Sequence, residues 1–211
     1  EYVAASENHI TKKPENISFE EAATATLAAL TAWQFLINDA KIKKGDKVLV
    51  LAASGGVGHF AVQIAKYFGA YVIGLASSKN KDFVLSLGAD EYISYDKQEV
   101  TELVNDVDIV IDPFAKENLE KSLGLTKSGG VIISLLPMIG EEIKEKAKEK
   151  NVKISYSLVD SNGEDMKQLA ELIENGIIKP HVSKIFDFNE MDQAHLAMES
   201  GKTVGKIAIK I

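Results

Sequence analysis

The 211-residue chain contains no cysteine. Disulfides, thiolate-bound zinc and thiol nucleophiles are therefore excluded within it. The absence fits a reducing compartment, and a cytoplasmic location is the expectation. Histidine is scarce, with only His9, His59, His181 and His195. None of them stands at a metal-ligand or triad spacing from a suitable partner, so no metal site is expected. No apolar run approaches the roughly 20 residues of a membrane-spanning helix, and no basic stretch followed by an apolar core opens the chain. Neither a membrane nor a signal peptide is expected. Positive charge is in deficit: 24 basic side chains face 31 acidic ones, for a net charge of -7. Such a surface repels polyanions, so nucleic acid is not an expected partner. An anionic ligand would need local help from backbone N–H groups and a few placed lysines. The first residue is Glu1 rather than Met, from which we expect the chain to be part of a longer product.

From Lys47 onward, short β-rich runs alternate with helical patterns. Lys47–Ala52 is nearly all apolar, as a strand covered on both faces is. Further strands are expected at Tyr71–Ala76, Glu91–Tyr95, Val107–Ile111, Val131–Leu135 and Val152–Ser157. Helices are expected at Val57–Tyr67, before Gly88, and at Lys116–Leu125, Glu141–Lys150 and Glu164–Asn175. Strands separated by helical crossovers imply a doubly wound α/β fold, a parallel six-stranded sheet with helices on both faces. Ser18 with Glu21, before the Ala-rich helix Ala22–Leu36, and Ser161 with Glu164 have the spacing of capping boxes. The two ends break the alternation. Glu1–Glu15 reads as a strand and loop, and Val182–Phe188, Asn189–Ser200 and Lys206–Ile211 read as strand, helix and strand.

The segment Ala52-Ala-Ser-Gly-Gly-Val-Gly58 joins the first strand to the first amphipathic helix. A dinucleotide fingerprint stands at that place. Glycines there let the backbone approach a pyrophosphate, and the helix N-terminus presents free N–H groups to it. Gly58 is expected to let the helix pack closely on the strand. An NAD site ends its second strand on a carboxylate that binds the ribose hydroxyls. This chain has Ser77-Ser-Lys-Asn-Lys81 there, with no acid before Asp82. Hydroxyls and lysines suit a 2′-phosphate, so NADPH is expected over NADH.

These residues, with Ser18–Ala23, Leu30–Trp33, Lys44–Leu49, Ala61–Lys66, Leu87–Asp90, Tyr95, Gly129-Gly130 and Gly205–Ile207, span nearly the whole chain. Together they resemble the medium-chain dehydrogenase/reductase superfamily in its zinc-independent, quinone oxidoreductase (zeta-crystallin-like) branch. The resemblance implies a Rossmann fold whose partner, an N-terminal GroES-like β-rich catalytic domain, precedes this chain. It divides the chain into residues 1–15 as the end of that domain, 16–181 as the dinucleotide-binding domain and 182–211 as a return segment. It implies cofactor contacts from Ser54, Gly55, Gly56, Val57 and Gly58 to the pyrophosphate. It also implies contacts from Ser77, Ser78, Lys81 and Tyr95 on the 2′-phosphate side, and from Thr31 on the nicotinamide side. Leu27 stands where zinc-dependent relatives carry a cysteine ligand, so the resemblance implies an enzyme without zinc. It further implies a homodimer through the sixth strand, Lys153–Ser157. One departure is Asp112-Pro-Phe-Ala115, where relatives often show Asp-x-Val-Gly.

The reaction implied is hydride transfer from NADPH to a quinone or an electron-poor enone, with position and dryness supplied by the protein. No acid–base group stands out, and the Tyr-x-x-x-Lys pair of short-chain dehydrogenases is absent. Three other readings stay open. One is a dinucleotide-binding module without turnover, whether sensor, structural protein or truncated enzyme. Another is an enoyl reductase or alcohol dehydrogenase of the same superfamily. The third is a methyltransferase, which would want an acid at the end of the second strand.

Overall fold

A computed structural model describes residues 3–114 and 117–211 of the chain. It opens with a short 3-10 turn, Glu7–His9, and there is no strand among the described residues of the first fifteen. The strand expected there is thus corrected. Instead the segment lies along later structure: Asn16 donates its side-chain N–H groups to Ile173 O and Glu174 O, at 3.0 and 3.2 Å.

Helix α1, Phe19–Gln34, starts at the expected capping box, in which Glu21 N donates to Ser18 Oγ and Ser18 N to Glu21 Oε2. It continues into a wider π turn, Phe35–Asp39. The alternating unit follows as β1 Lys47–Leu51, α2 Gly58–Tyr67, β2 Tyr71–Ala76, α3 Lys81–Ser86, β3 Glu91–Ser94 and α4 Val100–Leu103. Then come β4 Val107–Asp112, α5 Glu117–Leu125, β5 Thr126–Ser134, α6 Glu141–Glu149, β6 Lys153–Ser155 and α7 Gly163–Glu174. The six strands form one sheet of order β3-β2-β1-β4-β5-β6, parallel throughout. This is the expected doubly wound sheet. The strand order reverses between β1 and β4, and that crevice is where such sheets take their ligands.

Alternation along β1 explains why both faces are covered. Val48 and Val50 join α1, α2 and α7 in one apolar cluster, whereas Leu49 and Leu51 join α5 and α6 in the other. Val48, Leu49 and Val50 are fully buried, each worth roughly 1.5–3 kcal/mol relative to exposure. Helix α7 departs from expectation at its start. Asn162 rather than Ser161 is the cap, its Oδ1 accepting from Glu164 N and Asp165 N at 2.9 and 3.0 Å.

The chain ends in β7 Val182–Asp187, α8 Met191–Glu199 and β8 Lys206–Lys210. The two strands pair in parallel as a second, two-stranded sheet.

Candidate cofactor site

A cavity of about 830 Å³ opens at the carboxyl ends of β1, β2 and β3, beside the strand-order reversal. Its size suits a small organic ligand or cofactor. Leu51, Ala52, Ser54 and Gly55 line one side; Ser77, Lys79, Asn80, Tyr95 and Asp96 line another. Phe114, Asn118, Lys121 and residues 201–203 close the remainder.

The turn after β1 is tight. Ala52 adopts a left-handed φ of 49°, a conformation that side chains seldom take, and its carbonyl accepts from Gly55 N at 2.8 Å. A Cβ on Gly58 would stand 2.2 Å from Ala52 O, so only glycine lets α2 start this close to β1. The Gly56 Cβ position faces the other way, 2.9 Å from Cδ of Lys206 and 3.7 Å from its Nζ. Gly56 thus makes room for a lysine of the second sheet. The backbone agrees: Gly205 N donates to Ser54 O at 2.8 Å, and Lys206 N to His181 O at 2.9 Å.

The expected site residues are therefore placed differently from one another. Ser54, Gly55, Ser77 and Tyr95 line the cavity, and Tyr95 is 62% exposed. The Ser54 hydroxyl accepts from Asn80 Nδ2 at 2.9 Å. Gly56, Val57 and Gly58 build the turn and the start of α2 without lining the cavity. Thr31 lies in the last turn of α1, its hydroxyl donating to Leu27 O one turn back at 2.7 Å, and Lys81 opens α3 with its side chain exposed; neither is among the lining residues. Lys79, two residues earlier, is. Asp112 ends β4 fully buried, accepting from Phe114 N and Ser122 Oγ, while Ala115 of the departing loop lies outside the described residues.

Three groups escaped the sequence reading. Asp96 lies just beyond β3, yet it meets the end of β2: Ser78 N and Ser78 Oγ donate to its carboxylate at 2.8 and 2.7 Å. Ser94 Oγ donates as well, at 2.6 Å. Hydrogen bonds from Ser94 and then Ser78 hold this carboxyl well below the usual carboxylate range. Lys206 reaches the glycine turn from a strand 150 residues downstream, and no local pattern announces that. His59, in the first turn of α2, is fully buried; its Nδ1 donates to Gly55 O at 2.8 Å, and its Nε2 has no partner among the described residues. Burial pushes its pKa down to about 4, and the nearby His181 and Lys206 act in the same direction.

Among the described residues, no group of three or more His, Cys, Asp or Glu side chains is placed to hold a metal ion, and no helix is long and apolar enough to cross a membrane.

Known proteins agree with this arrangement. The profile of the zinc-binding dehydrogenases matches residues 87–209. The 2-methylene-furan-3-one reductase of Solanum lycopersicum is 34% identical over 213 residues, covering 99% of this chain and 51% of its own length. The structure of the quinone oxidoreductase from Coxiella burnetii superposes with a TM-score of 0.89 at 35% identity, over 95% of this chain and 63% of that one. That of the Escherichia coli quinone oxidoreductase complexed with NADPH does so at 0.86 and 26%, over 95% and 68%. The chain therefore spans between about half and two thirds of these relatives. By its profile match, its sheet order and its glycine turn, the chain belongs to the zinc-binding dehydrogenase family of the medium-chain dehydrogenase/reductase superfamily.

Proposed function

We propose that this chain is the cofactor-binding part of an NADPH-dependent reductase that passes hydride to a quinone or an enone. One observation carries the reading: the cavity stands at the reversal of strand order and is walled by the turn that Gly55 and Gly58 make possible. The backbone N–H groups of the turn and the start of α2 suit a pyrophosphate. Ser77, Lys79 and Tyr95 wall the cavity beyond β2, where an adenosine ribose and its 2′-phosphate would be met. The nicotinamide, when bound, supplies the hydride; the chain's own residues bind, orient and keep water out. The quinone and enone assignment rests on what the similar proteins are named for.

We propose further that the reaction runs without zinc. Leu27 occupies the position of a cysteine ligand and is 63% exposed on α1. A leucine side chain offers a metal no donor atom. Addition of a strong chelator is expected to leave turnover unchanged, and loss of activity restored by zinc would end this part of the reading.

The deciding experiment is a paired titration of the purified chain with NADPH and NADH, followed by the fluorescence of Trp33 and the tyrosines. Saturable binding with NADPH the tighter ligand is expected. Binding of neither would remove the cofactor assignment; a clear preference for NADH would remove NADPH alone. An alternative reading, a binding module without turnover, gains support if the chain together with the rest of its protein binds NADPH but oxidises it with no quinone or enone.

A further inference from the structure

Where the cavity passes the end of β2, a carboxylate, Asp96, stands in its wall beside Lys79. Ser78 offers two donors there, its N–H and its hydroxyl, and both are taken by Asp96. Ser94 adds a third hydrogen bond to the same carboxylate. Three donors fix both oxygens in place, so the group cannot swing away from a ligand. Asp96 is exposed, lines the cavity beside Ser77, Lys79 and Tyr95, and has no lysine within ion-pair distance among the described residues. Like other aspartates it is anionic at neutral pH, and its hydrogen bonds from Ser94 and Ser78 lower its pKa further. On the other side of the balance, the chain has no arginine at all, so the planar fork that grips a phosphate bidentately is missing. Lys79 is the one lysine of the segment Ser77–Lys81 that lines the cavity. Lys121 and Lys202 line it as well, from the far wall, and Lys121 sits 3.7 Å from Glu99.

We infer that Asp96 is a specificity-determining residue of this site: its fixed negative charge opposes a 2′-phosphate and accepts hydrogen bonds from free ribose hydroxyls, which keeps the preference for NADPH over NADH small. The inference rests on the dinucleotide reading above. It locates the carboxylate that such sites use against a 2′-phosphate at the end of β3 rather than at the end of β2. A ribose with both hydroxyls free meets an acceptor; a phosphate of nearly two negative charges meets a like charge that has nowhere to go.

The test compares wild type, Asp96→Asn and Asp96→Glu in titrations with NADPH and NADH. Wild type is expected to bind both within about tenfold of each other, and Asp96→Asn to shift the ratio toward NADPH by about fivefold, the effect of removing one nearby surface charge. Asp96→Glu keeps the charge and is expected to keep the wild-type ratio, which a purely structural role for the residue would not arrange. A second measurement needs no variant: displacement of bound NADH by 5′-AMP and by 2′,5′-ADP is expected to differ by no more than about threefold. An unchanged ratio in a folded Asp96→Asn, or a hundredfold advantage for 2′,5′-ADP on the wild type, would overturn the inference while leaving the dinucleotide reading intact. Failure of the wild type to bind either dinucleotide would overturn that reading, and this inference with it.

Discussion

At the scale of single residues, the glycine turn separates two reasons for having no side chain. The missing Cβ of Gly58 makes room for the backbone carbonyl of Ala52, which cannot move without displacing β1, whereas that of Gly56 makes room for the flexible end of Lys206. Gly58→Ala is expected to lower stability in urea unfolding by about 2 kcal/mol or more, and Gly56→Ala by under about 1 kcal/mol. Equal losses would mean that the turn relaxes as easily at either place. His59 makes a different prediction. In the folded chain its pKa is pushed down to about 4 by burial, while in the unfolded chain it returns to its ordinary 6.5. Between those values the unfolded state binds the extra proton. The contribution of neutral His59 is therefore complete above pH 6.5 and is lost as pH falls toward 4, by about 3 kcal/mol in all. His59→Asn removes the titrating ring, and denaturant midpoints taken from pH 7.5 to 4.5 are expected to fall less steeply in that variant than in wild type.

At the scale of elements, the helix starts separate what spacing reveals from what it does not. Ser18 and Glu21 form the reciprocal box that their spacing announced. Ser161 and Glu164 have the same spacing, yet the helix begins one residue later because Asn162 takes the N–H groups of Glu164 and Asp165. Both serine and asparagine are good caps, so local propensity does not choose between them. Contacts from elsewhere do. Gln34 grips this segment by donating to Asp160 O and accepting from Asp160 N, and Asp165 accepts from Trp33 Nε1 and Gln34 Nε2. Asn162→Ala is expected to cost about 1 kcal/mol in thermal or urea unfolding, and Ser161→Ala close to nothing. The reverse ranking would return the cap to Ser161. The short β6, Lys153–Ser155, has the same character: six residues read as strand from Val152, but only the three that find partners on β5 are strand.

At the scale of the molecule, the second sheet is fastened to the site rather than appended to it. Gln63 of α2 donates to Lys179 O and accepts from Lys179 N, and Gly205 donates to Ser54 O inside the glycine turn. The loop 201–203 joins the cavity wall through that attachment. The main sheet, by contrast, has two edges, β3 and β6, and β6 has no ladder partner on its outer side among the described residues. Ladder groups on an open edge are free to pair with a second strand, and two copies of β6 can meet there about a twofold axis. We propose that dimer. Light scattering is expected to give twice the chain mass at high concentration, and a single-chain mass throughout a wide range would dismiss it.

The alternating run from Lys47 to Asn175 settled the doubly wound sheet before any coordinates, because buried parallel strands and amphipathic helices have periods that residues display locally. The position of the glycine turn and its need for Gly58 were legible for the same reason. What the tertiary structure alone decided are meetings between distant residues. It brought Asp96 from the end of β3 to Ser78 at the end of β2, because parallel pairing sets Ala76 opposite Ser94. It brought Lys206 to Gly56, because β8 is held to the turn by backbone bonds that no side-chain pattern records. A sequence displays the interactions of a residue with its near neighbours; the charge that a cofactor meets is summed over every element that reaches the cavity, and that sum exists only once the chain has folded.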